Sequence, residues 1–595
     1  MYFKISTAKG NKYLQIVESY RNEQGKPRQR LIATICNVSQ CSEEQVLRLC
    51  KSFLRALGVE KIAFLDDLTC GQSYDYGDVL PIIALWQQLG LEQIINDSLS
   101  SRVKIDVAKA TLIMVANKFV DPQSKLGAWK WFERSLFTFA KEFVHLPCAD
   151  NGLLHTLYRS LDYLCDSKQA IEKELYYRLQ CYGLQTEFVL YDITLSYFEG
   201  DQAELAEYGY SRDHRPDRPQ IVIGILTSKE GVPFAHHVFD GNTADKSTVK
   251  DVIDDLKDRF GITHCTFVGD RGMLTRINLE AIKGMEYDYI MGMRRHNSRI
   301  VAELIPFIEQ APEQEVIEVK MKQISNTELQ QEFGEATRFV IGYNEAVRDK
   351  VRQTRQKKFD DVELFLEPLA TAGSYQAIAD SHSKVISYLN KRKIGRYYEV
   401  SVEKNEAAES VECYRLVVQQ RKDIIDQEKL IDGHYFIQTE LDEQKLTSDE
   451  VISAYKSLQK VERIFRVLKN NIEIRPIYVR KEKRIRGHVF ICFITYLFEC
   501  LLERKLAEKL PDCSLSALKI DLNRVKLIPV TLSDRITSKT GRLFFVTSAS
   551  SDVLKLYSLL KIRNYREPEK LYITSKDKST DNFSNQLALF PLFSG

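Results

Sequence analysis

The sequence predicts a multidomain α/β protein with a mixed β-sheet core and helical N- and C-terminal regions. The chain has 595 residues, too many for one hydrophobic core, and its 44% hydrophobic content is that of a folded globular protein. Residues 187–295 alternate short apolar runs with amphipathic stretches in the order strand, strand, strand, helix, strand, helix, strand. This order indicates a mixed sheet with helices packed against it.

Two regions are predicted before this core. Residues 1–40 should form a basic β-hairpin region, because alternating apolar and polar residues flank the turn-rich stretch NEQGKP. A basic hairpin tip can lie along a phosphate backbone, although a solvated surface hairpin explains the tip alone slightly better. Residues 41–184 carry several amphipathic patterns and are predicted to form a helical DNA-binding or interaction domain.

The core itself is predicted in two parts with an insertion between them. Residues 185–295 form the first part, and residues 296–447 mix short candidate strands with charged helices, as expected of an insertion domain. Residues 448–500 begin with a clear amphipathic helix, for which Ser448 is the expected N-cap, and continue into a basic segment. Residues 501–595 are predicted to be a helical C-terminal region with a loosely ordered tail.

The net charge and the cysteine spacing argue against a simple polycation and against a zinc-binding protein. The net charge is only +2 although 84 residues are basic, so any nucleic-acid contacts must be concentrated on particular faces. The twelve cysteines form no CxxC pair and no cluster with zinc-ligand spacing, which is typical of reduced thiols in a cytoplasmic protein. His236 and His237 are expected to pack within a strand rather than bind a metal.

No targeting or membrane segment is expected. The N-terminus has no apolar run behind its charges, so it does not have the pattern of a signal peptide. The longest apolar stretch begins at Val489, is shorter than a membrane span and contains Glu499. It therefore predicts a buried core helix.

Two aspartates occupy positions that are costly for a carboxylate. Asp192 lies inside the apolar strand pattern from Phe188 to Ile193, and Asp270 ends the apolar run that begins at Thr266. A buried carboxylate needs a compensating partner, and acids at strand ends in such sheets commonly face a site. The alternative is that each aspartate caps the following turn or helix, which explains either residue alone equally well.

A third carboxylate is predicted on the amphipathic helix that opens the region after the insertion. Residues seven apart on a helix lie within about 20° of each other, so Tyr455, Glu462 and Lys469 form one stripe. Apolar side chains lie beside this stripe at spacings of three and four, including Leu458 and Phe465. The pattern therefore predicts that Glu462 faces the core, where it needs a partner such as a metal ion.

Three carboxylates on two strands and a helix suit a hard divalent cation, Mg²⁺ or in its place Mn²⁺. Two such ions about 3.5–4 Å apart can activate an attacking water or 3′-hydroxyl and stabilise the leaving oxygen. Asp192, Asp270 and Glu462 are therefore candidate catalytic residues and candidate metal ligands. Lys469 could reach a phosphate, although a cation near a helix end is also ordinary dipole complementarity.

Several stretches together resemble the DDE transposases of bacterial insertion sequences. One group in that family carries the helix motif Y-x2-R-x3-E-x6-K, which is matched here by Tyr455, Glu462 and Lys469. Further similar stretches are YDITLSYF, GYSRDHRPDRPQIVIGIL, GNTADKST, VGDRGM and RPIYVRKEKRIRGHVFICF. The resemblance covers roughly residues 185–500, and the joint presence of these motifs in the right order makes it specific.

The resemblance implies a ribonuclease-H-like core with catalytic Asp192, Asp270 and Glu462, interrupted by a largely β insertion. It implies metal-dependent cleavage at transposon ends and strand transfer into target DNA. The implied partner is double-stranded DNA, both the terminal inverted repeats and the target. A homodimer or higher multimer would assemble on this DNA at the nucleoid of a bacterial cytoplasm.

The motif departs from the family at its arginine position, which holds Leu458. In the family that arginine is thought to contact DNA near the active site. The role is therefore vacant here or filled by Lys456 or Arg466. Some relatives cut DNA through a hairpin at the transposon end. Because Leu458 replaces the arginine, it stays open whether this chain uses the hairpin route.

The predicted DNA contacts lie mainly after the helix that carries the motif. Tyr455 and Lys469 on the helix belong to this set, as do Arg212 and Arg215 in a proline-stiffened loop between the first two core strands. Six basic residues within twelve positions form a candidate phosphate-binding face, with a solvated helix start as the alternative: Arg475, Arg480, Lys481, Lys483, Arg484 and Arg486.

Three functions remain open on this evidence. A transposase is favoured by the chain length, the long insertion and the Tyr–Glu–Lys stripe. A structure-specific nuclease on the same core would hydrolyse DNA without joining a 3′-hydroxyl to target DNA. An inactive transposase-derived DNA-binding protein would not need all three acids, and their presence argues against it.

Overall fold

The computed structural model describes residues 1–58, 68–140, 152–209, 215–295, 299–311, 314–369, 372–404, 414–533, 540–568 and 572–573. The chain begins with a small antiparallel sheet of β1 (Tyr2–Ala8), β2 (Asn11–Arg21) and β3 (Pro27–Asn37), followed by helix α1 (Glu43–Ala56). Strands β2 and β3 form the predicted hairpin, and β1 adds a third strand alongside β2.

The next region is mainly helical, as its amphipathic patterns predict. It contains β4 (Leu68–Cys70), β5 (Tyr74–Asp75), α2 (Leu80–Gln88), α3 (Leu91–Asp97), α4 (Val107–Val120), α5 (Lys125–Phe132) and α6 (Gly152–Cys181). Side-chain caps set where two of these helices begin. The Asp106 side chain accepts from the Lys109 amide at the start of α4, and the Ser124 side chain accepts from the Gly127 amide at the start of α5.

The core follows in the predicted order of strands and helices. Its elements are β6 (Phe188–Tyr197), β7 (Gln220–Ser228), β8 (Pro233–Asp240), α7 (Val249–Asp258), β9 (Thr266–Gly269), α8 (Arg276–Gly284) and β10 (Asp288–Gly292). Strands β6, β7 and β8 are antiparallel, whereas β9 pairs parallel with β6 and β10 pairs parallel with β9. A mixed α/β core is therefore confirmed.

The region predicted as an insertion is more helical than largely β. It contains α9 (Arg299–Gln310), β11 (Val316–Lys320), α10 (Thr327–Phe333), β12 (Arg338–Tyr343), α11 (Glu345–Leu366), β13 (Ala372–Gly373), α12 (Tyr375–Lys391), β14 (Tyr398–Lys404), β15 (Tyr414–Gln420), α13 (Lys422–Ile431) and β16 (His434–Thr439). Strands β13, β15 and β14 form a separate small sheet, which has its own hydrophobic core.

The central sheet continues into this region instead of ending at residue 295. Its eight strands lie in the order β11-β12-β16-β10-β9-β6-β7-β8. Strand β16 pairs antiparallel with both β10 and β12. This pairing satisfies the backbone groups of β10, which would otherwise be an exposed sheet edge.

The predicted helix that carries Glu462 is divided at Ser457 into α14 (Ser448–Lys456) and α15 (Leu458–Asn470). The Ser457 hydroxyl donates to the Ser453 carbonyl at 3.0 Å, a back-bond that often bends helices. The N-cap is Thr447 rather than Ser448, because Thr447 and Glu450 form a reciprocal capping box.

The long helix α16 (Glu482–Lys509) is the buried core helix predicted from the apolar stretch at Val489. By length and composition alone it could cross a membrane, but 83% of its most apolar 18-residue stretch is buried inside the protein. It packs against α4, α6 and β8. This helix therefore joins the helical region to the central sheet.

The C-terminal region was predicted to be helical, and its described part contains strands as well as helices. Its described part contains α17 (Leu515–Asn523), β17 (Lys526–Ser533), β18 (Thr540–Val546), α18 (Ser551–Leu559), β19 (Ile562–Arg563) and β20 (Tyr572–Ile573). Strand β17 pairs with β18 and also with β4 and β5, about four hundred and fifty residues earlier in the chain. The predicted loose tail lies outside the described residues.

A buried charge cluster joins α6 to the central sheet. The Glu172 carboxylate is fully buried and accepts from Lys168 Nζ at 2.8 Å, from His236 Nδ1 at 2.6 Å and from Arg259. His236 stacks on Phe490 and Phe493 of α16, so it packs within its strand as predicted. His237, the next residue on β8, instead lies 3.2 Å from an Asp255 oxygen on α7.

Candidate active site

Asp192 and Asp270 lie side by side on neighbouring parallel strands. Tyr191 of β6 pairs with Gly269, the last residue of β9, so the next residues are Asp192 on β6 and Asp270 directly after β9. Side chains in register on neighbouring strands point to the same face, and the strands are about 4.8 Å apart. The structure therefore brings together two of the three predicted catalytic residues. Both are half-buried.

Their shared face lies opposite the face that α7 covers. The Tyr191 hydroxyl donates to Thr248 Oγ1 at 2.9 Å, directly before α7, so the preceding side chain on β6 points toward α7. Because side chains alternate along a strand, Asp192 points to the other face. Its Oδ1 atom accepts from the Ile193 amide at 2.8 Å.

Tyr455, at the end of α14, contacts Asp270 directly. Its hydroxyl lies 3.4 Å from Asp270 Oδ1 and can donate a long hydrogen bond to it. Burial, and then the charge of Asp270, raise the pKa of Tyr455, so the phenol keeps its proton at neutral pH. Tyr455 is half-buried and contacts Asp270, whereas the sequence placed it among the DNA contacts.

Gly292 at the end of β10 makes room for Tyr455. A Cβ atom at this glycine would lie 2.2 Å from the Tyr455 hydroxyl oxygen. On the next strand, Tyr435 lies over Gly342 in the same way, and the Tyr435 and Tyr455 rings stack at 6.3 Å. Gly292, Gly342 and Tyr435 were not predicted from the sequence. The available signal was a glycine at the carboxyl end of a core strand, where a close approach is common.

We expect Gly292→Ala to lower the rate of strand cleavage about 10–100-fold, the range typical when a partner of a metal ligand is lost. The added methyl group must displace the Tyr455 hydroxyl and with it the contact to Asp270. Cleavage of the DNA substrate that the family resemblance implies measures the effect. Gly284→Ala is the matched control, because nothing lies within 4 Å of its Cβ position. Equal rates in the two variants would remove the Tyr455 contact from the active site.

Glu462 does not face the core, so the prediction of its orientation was wrong. It is exposed on α15, where the buried side chains are Leu458, Val461, Ile464, Phe465 and Leu468. The buried face of α15 is centred near Val461, and Glu462 lies about 100° around the helix from that residue. Helix α15 nevertheless packs against β6, the strand that carries Asp192.

The donor chemistry fits a divalent cation, although the three side chains are not gathered around one point. Carboxylate oxygens are the ligands that Mg²⁺ prefers, and Asp192 and Asp270 supply them from adjacent strands. Within the described ranges, no group of three His, Cys, Asp or Glu side chains is placed to hold one ion. Two donors are therefore in place, and Glu462 remains the predicted third.

Leu458, at the family's arginine position, is the first residue of α15 and is only 8% exposed. A DNA-contacting charge could not act from such a buried position. The two replacements considered from the sequence, Lys456 and Arg466, are both exposed. Their side chains are thus accessible to DNA.

Three of the six residues in the predicted basic cluster form ion pairs with acids of the same chain. Lys483 Nζ lies 2.6 Å from Asp166, and Arg484 Nε lies 3.1 Å from Asp162; both acids are on α6. Arg486 pairs with Glu482 at 2.9 Å. Lys483 and Arg484 thus link the start of α16 to α6, whereas the Arg486 pair lies within α16. Lys481 is exposed, and Arg480 donates to Gln202.

Arg215 and Arg475 converge on one aromatic ring. Their guanidinium carbons lie 5.2 Å and 4.9 Å from the centre of the Tyr197 ring, at the end of β6. Arg215 also pairs with Asp217 at 2.9 Å. The structure thus brings the loop after β6 next to the segment after α15, whereas Arg212 lies outside the described residues. Lys469 is half-buried near the end of α15.

Comparisons with known proteins agree with this geometry. Residues 183–498 match the family described as the transposase DDE domain, and that match spans more than half of the chain. The chain belongs to the DDE transposases. Residues 3–58 match the IS1634 family transposase N-terminal domain, so this is a transposase of the insertion-sequence type. It is an enzyme that cleaves DNA and transfers DNA strands.

Two further comparisons give little detail. No curated protein matches the transposase chain. A structural comparison pairs it with the cryo-EM structure of a piggyBac transposase synaptic complex with hairpin DNA, at 9% identity and a TM-score of 0.34. That pairing covers 76% of this chain and 82% of the other.

Proposed function

We propose that this transposase cuts transposon ends and joins them to target DNA with Asp192, Asp270 and Glu462 as catalytic residues. The observation that carries the proposal is that the two aspartates directly follow the paired residues Tyr191 and Gly269 of β6 and β9, with Tyr455 contacting Asp270. The helix that follows Tyr455 supplies Glu462. No other part of the described sheet combines two in-register acids with a family motif on the covering helices.

We also propose that the core is ribonuclease-H-like. Three antiparallel strands followed by two parallel strands, with the acids on the first and fourth, support this assignment. The domain boundaries are part of the same proposal: residues 1–40, 41–184, 185–295, 296–447, 448–500 and 501–595. Residues 296–447 are not a fully separate insertion, because three of their strands extend the central sheet.

DDE transposases use divalent metal ions, and we propose Mg²⁺ here, with Mn²⁺ able to replace it. Asp192, Asp270 and Glu462 would hold it, because carboxylate oxygens suit such hard ions. A bound ion of this kind polarises the phosphate and activates the attacking water or 3′-hydroxyl. The chain's own residues position the donors: β6 and β9 fix the two aspartates, and the Tyr455 hydroxyl orients Asp270.

The proposed DNA partners are the terminal inverted repeats and a target duplex, bound by a homodimer or higher multimer at the nucleoid of the cytoplasm. The surface at Tyr197 supports a DNA interface, because Arg215 and Arg475 approach from two chain segments. Exposed Lys481 and Arg480 extend that surface toward α16. Phosphate contacts of this type supply most of the sequence-independent affinity.

The test is a cleavage and strand-transfer assay with Mg²⁺ or Mn²⁺ on DNA that carries the sequences flanking the gene. We expect metal-dependent cleavage and a joined product with the wild type, and loss of both with Glu462→Gln. Glu508→Gln on α16 is the control, since Glu508 is also an exposed helical acid. Cleavage without joining would indicate a nuclease, and full activity of Glu462→Gln would reject Glu462 as the third acid.

A further inference from the structure

A cavity of about 300 Å³ lies between the helical region and the segment that follows α15. Helix α4, the start of α5 and helix α16 form one side of it, and the segment from Glu473 to Val479 forms the other. The residues that matter chemically are Lys118, Gln123, Lys125, Glu473, Tyr478 and His488. None of them belongs to the candidate active site.

Two lysine side chains in this cavity are buried without an acidic partner. Lys118 is 5% exposed and its Nζ donates to the Glu473 backbone carbonyl at 2.9 Å. Lys125 is 4% exposed and its Nζ donates to His488 Nδ1 at 2.9 Å. Among the described residues, neither ammonium group forms an ion pair with a carboxylate.

The imidazole partner of Lys125 is neutral. His488 Nε2 lies 3.0 Å from the Ile474 carbonyl, so this nitrogen carries the proton and Nδ1 accepts from Lys125. Burial lowers the pKa of His488 well below its usual value, which agrees with this tautomer. Burial also lowers the pKa of Lys125 to about 7. Lys125 therefore has no carboxylate partner, whereas the charge of Glu473, which also lines the cavity, favours the charged form of Lys118.

Burying a cation without a counter-charge costs stability, so such an arrangement favours an anionic ligand. The start of helix α5 also favours a negatively charged ligand. Lys125 is the first residue of α5, whose N-cap is Ser124, and the N-terminus of a helix carries a partial positive charge. The cavity thus combines two buried amines with a helix N-terminus, and its volume is at the lower end of ligand sites.

We propose that this cavity binds a phosphate group of a DNA strand, with Lys118 and Lys125 as its ligands. Tyr478 lies at the rim and is 66% exposed, which suits stacking against a base beside the bound phosphate. The same segment carries Arg475, which contacts Tyr197 at the end of β6. A phosphate here would tie the DNA to the segment that directly follows the Glu462 helix. Its origin in DNA rests on the proposed function, whereas the anion site does not.

The first test measures thermal unfolding of the full chain in inorganic phosphate and in chloride at matched ionic strength. Phosphate should raise the Tm of the wild type, because a ligand that binds the native state stabilises it. The rise should be lost in Lys125→Met and kept in Lys130→Met, an exposed lysine on the same helix. Lys118→Met serves if Lys125→Met fails to fold. No phosphate-specific rise in the wild type, or an equal rise in Lys125→Met, overturns the site.

The second test measures the salt dependence of binding to transposon-end DNA for the same proteins. Loss of one phosphate contact should reduce the slope of log affinity against log salt by about 1 in Lys125→Met and leave Lys130→Met unchanged. A phosphate-specific Tm rise with an unchanged slope means that the cavity takes free phosphate, and the DNA assignment is then wrong. Because neither readout depends on cleavage, failure here is distinct from failure of Glu462 as a catalytic residue.

Discussion

Replacing Asp270 with asparagine is expected to lower strand cleavage by at least about 10²–10³-fold, the loss typical when one group that stabilises the transition state is removed. Asparagine keeps the shape of the side chain but removes the charge that a divalent cation needs. Asp192→Asn should cause a loss of the same order, because the two carboxylates share one face in register. Cleavage of labelled transposon-end DNA under single-turnover conditions gives the rate.

Binding to the same DNA should remain nearly unchanged in both variants, since neither aspartate is a predicted DNA contact. Asp240→Asn is the matched control, because Asp240 is an exposed acid at the end of β8. A wild-type cleavage rate in either Asp270→Asn or Asp192→Asn would contradict the assignment of that aspartate as catalytic. Loss of DNA binding together with cleavage would instead point to a folding defect.

Glu172→Ala is expected to lower the free energy of unfolding by about 3–5 kcal/mol, the cost of breaking a buried ion pair by removing one partner. The change leaves Lys168 and Arg259 buried without the carboxylate that both contact. It also removes the acceptor of the His236 backbone amide and of its ring nitrogen. Urea unfolding followed by circular dichroism measures the difference.

Glu174→Ala on the same helix is the control, because Glu174 is exposed and its pair with Arg178 is 3.7 Å long. Its effect should stay within about 0.5 kcal/mol. An equally small effect of Glu172→Ala would show that the cluster does not hold α6 to the sheet.

The same cluster predicts how stability depends on pH. Burial opposes the charge of Glu172, but Lys168, His236 and Arg259 outweigh it and hold its pKa well below the usual value. Burial lowers the pKa of His236 to about 4. Both folded-state pKa values are depressed, so the unfolded chain binds more protons as pH falls. Stability contributed by His236 is therefore lost between about pH 6.5 and 4, and that of Glu172 below about pH 4.5.

Local sequence pattern was sufficient for the elements of the core. Apolar runs and amphipathic stretches gave β6 to β10 and their two helices in the right order, because each depends on residues close together in the chain. The two aspartates stood out for the same reason, as acids inside or at the end of apolar strands. The lysines of the cavity left only a weak signal, such as Lys118 near the end of the mostly apolar helix α4.

What the sequence by itself determined was the transposase family, the mixed core and the identity of the two strand acids. Only the tertiary structure decided that β17 pairs with β4 and β5, and that β16 lies between β10 and β12. It also showed that Glu462 lies on the exposed face of α15, and that Lys118 and Lys125 share one cavity. Periodicity reports which residues share a face of one continuous element. It carries no information on breaks within an element, or on which distant segments satisfy a sheet edge or meet across a cavity.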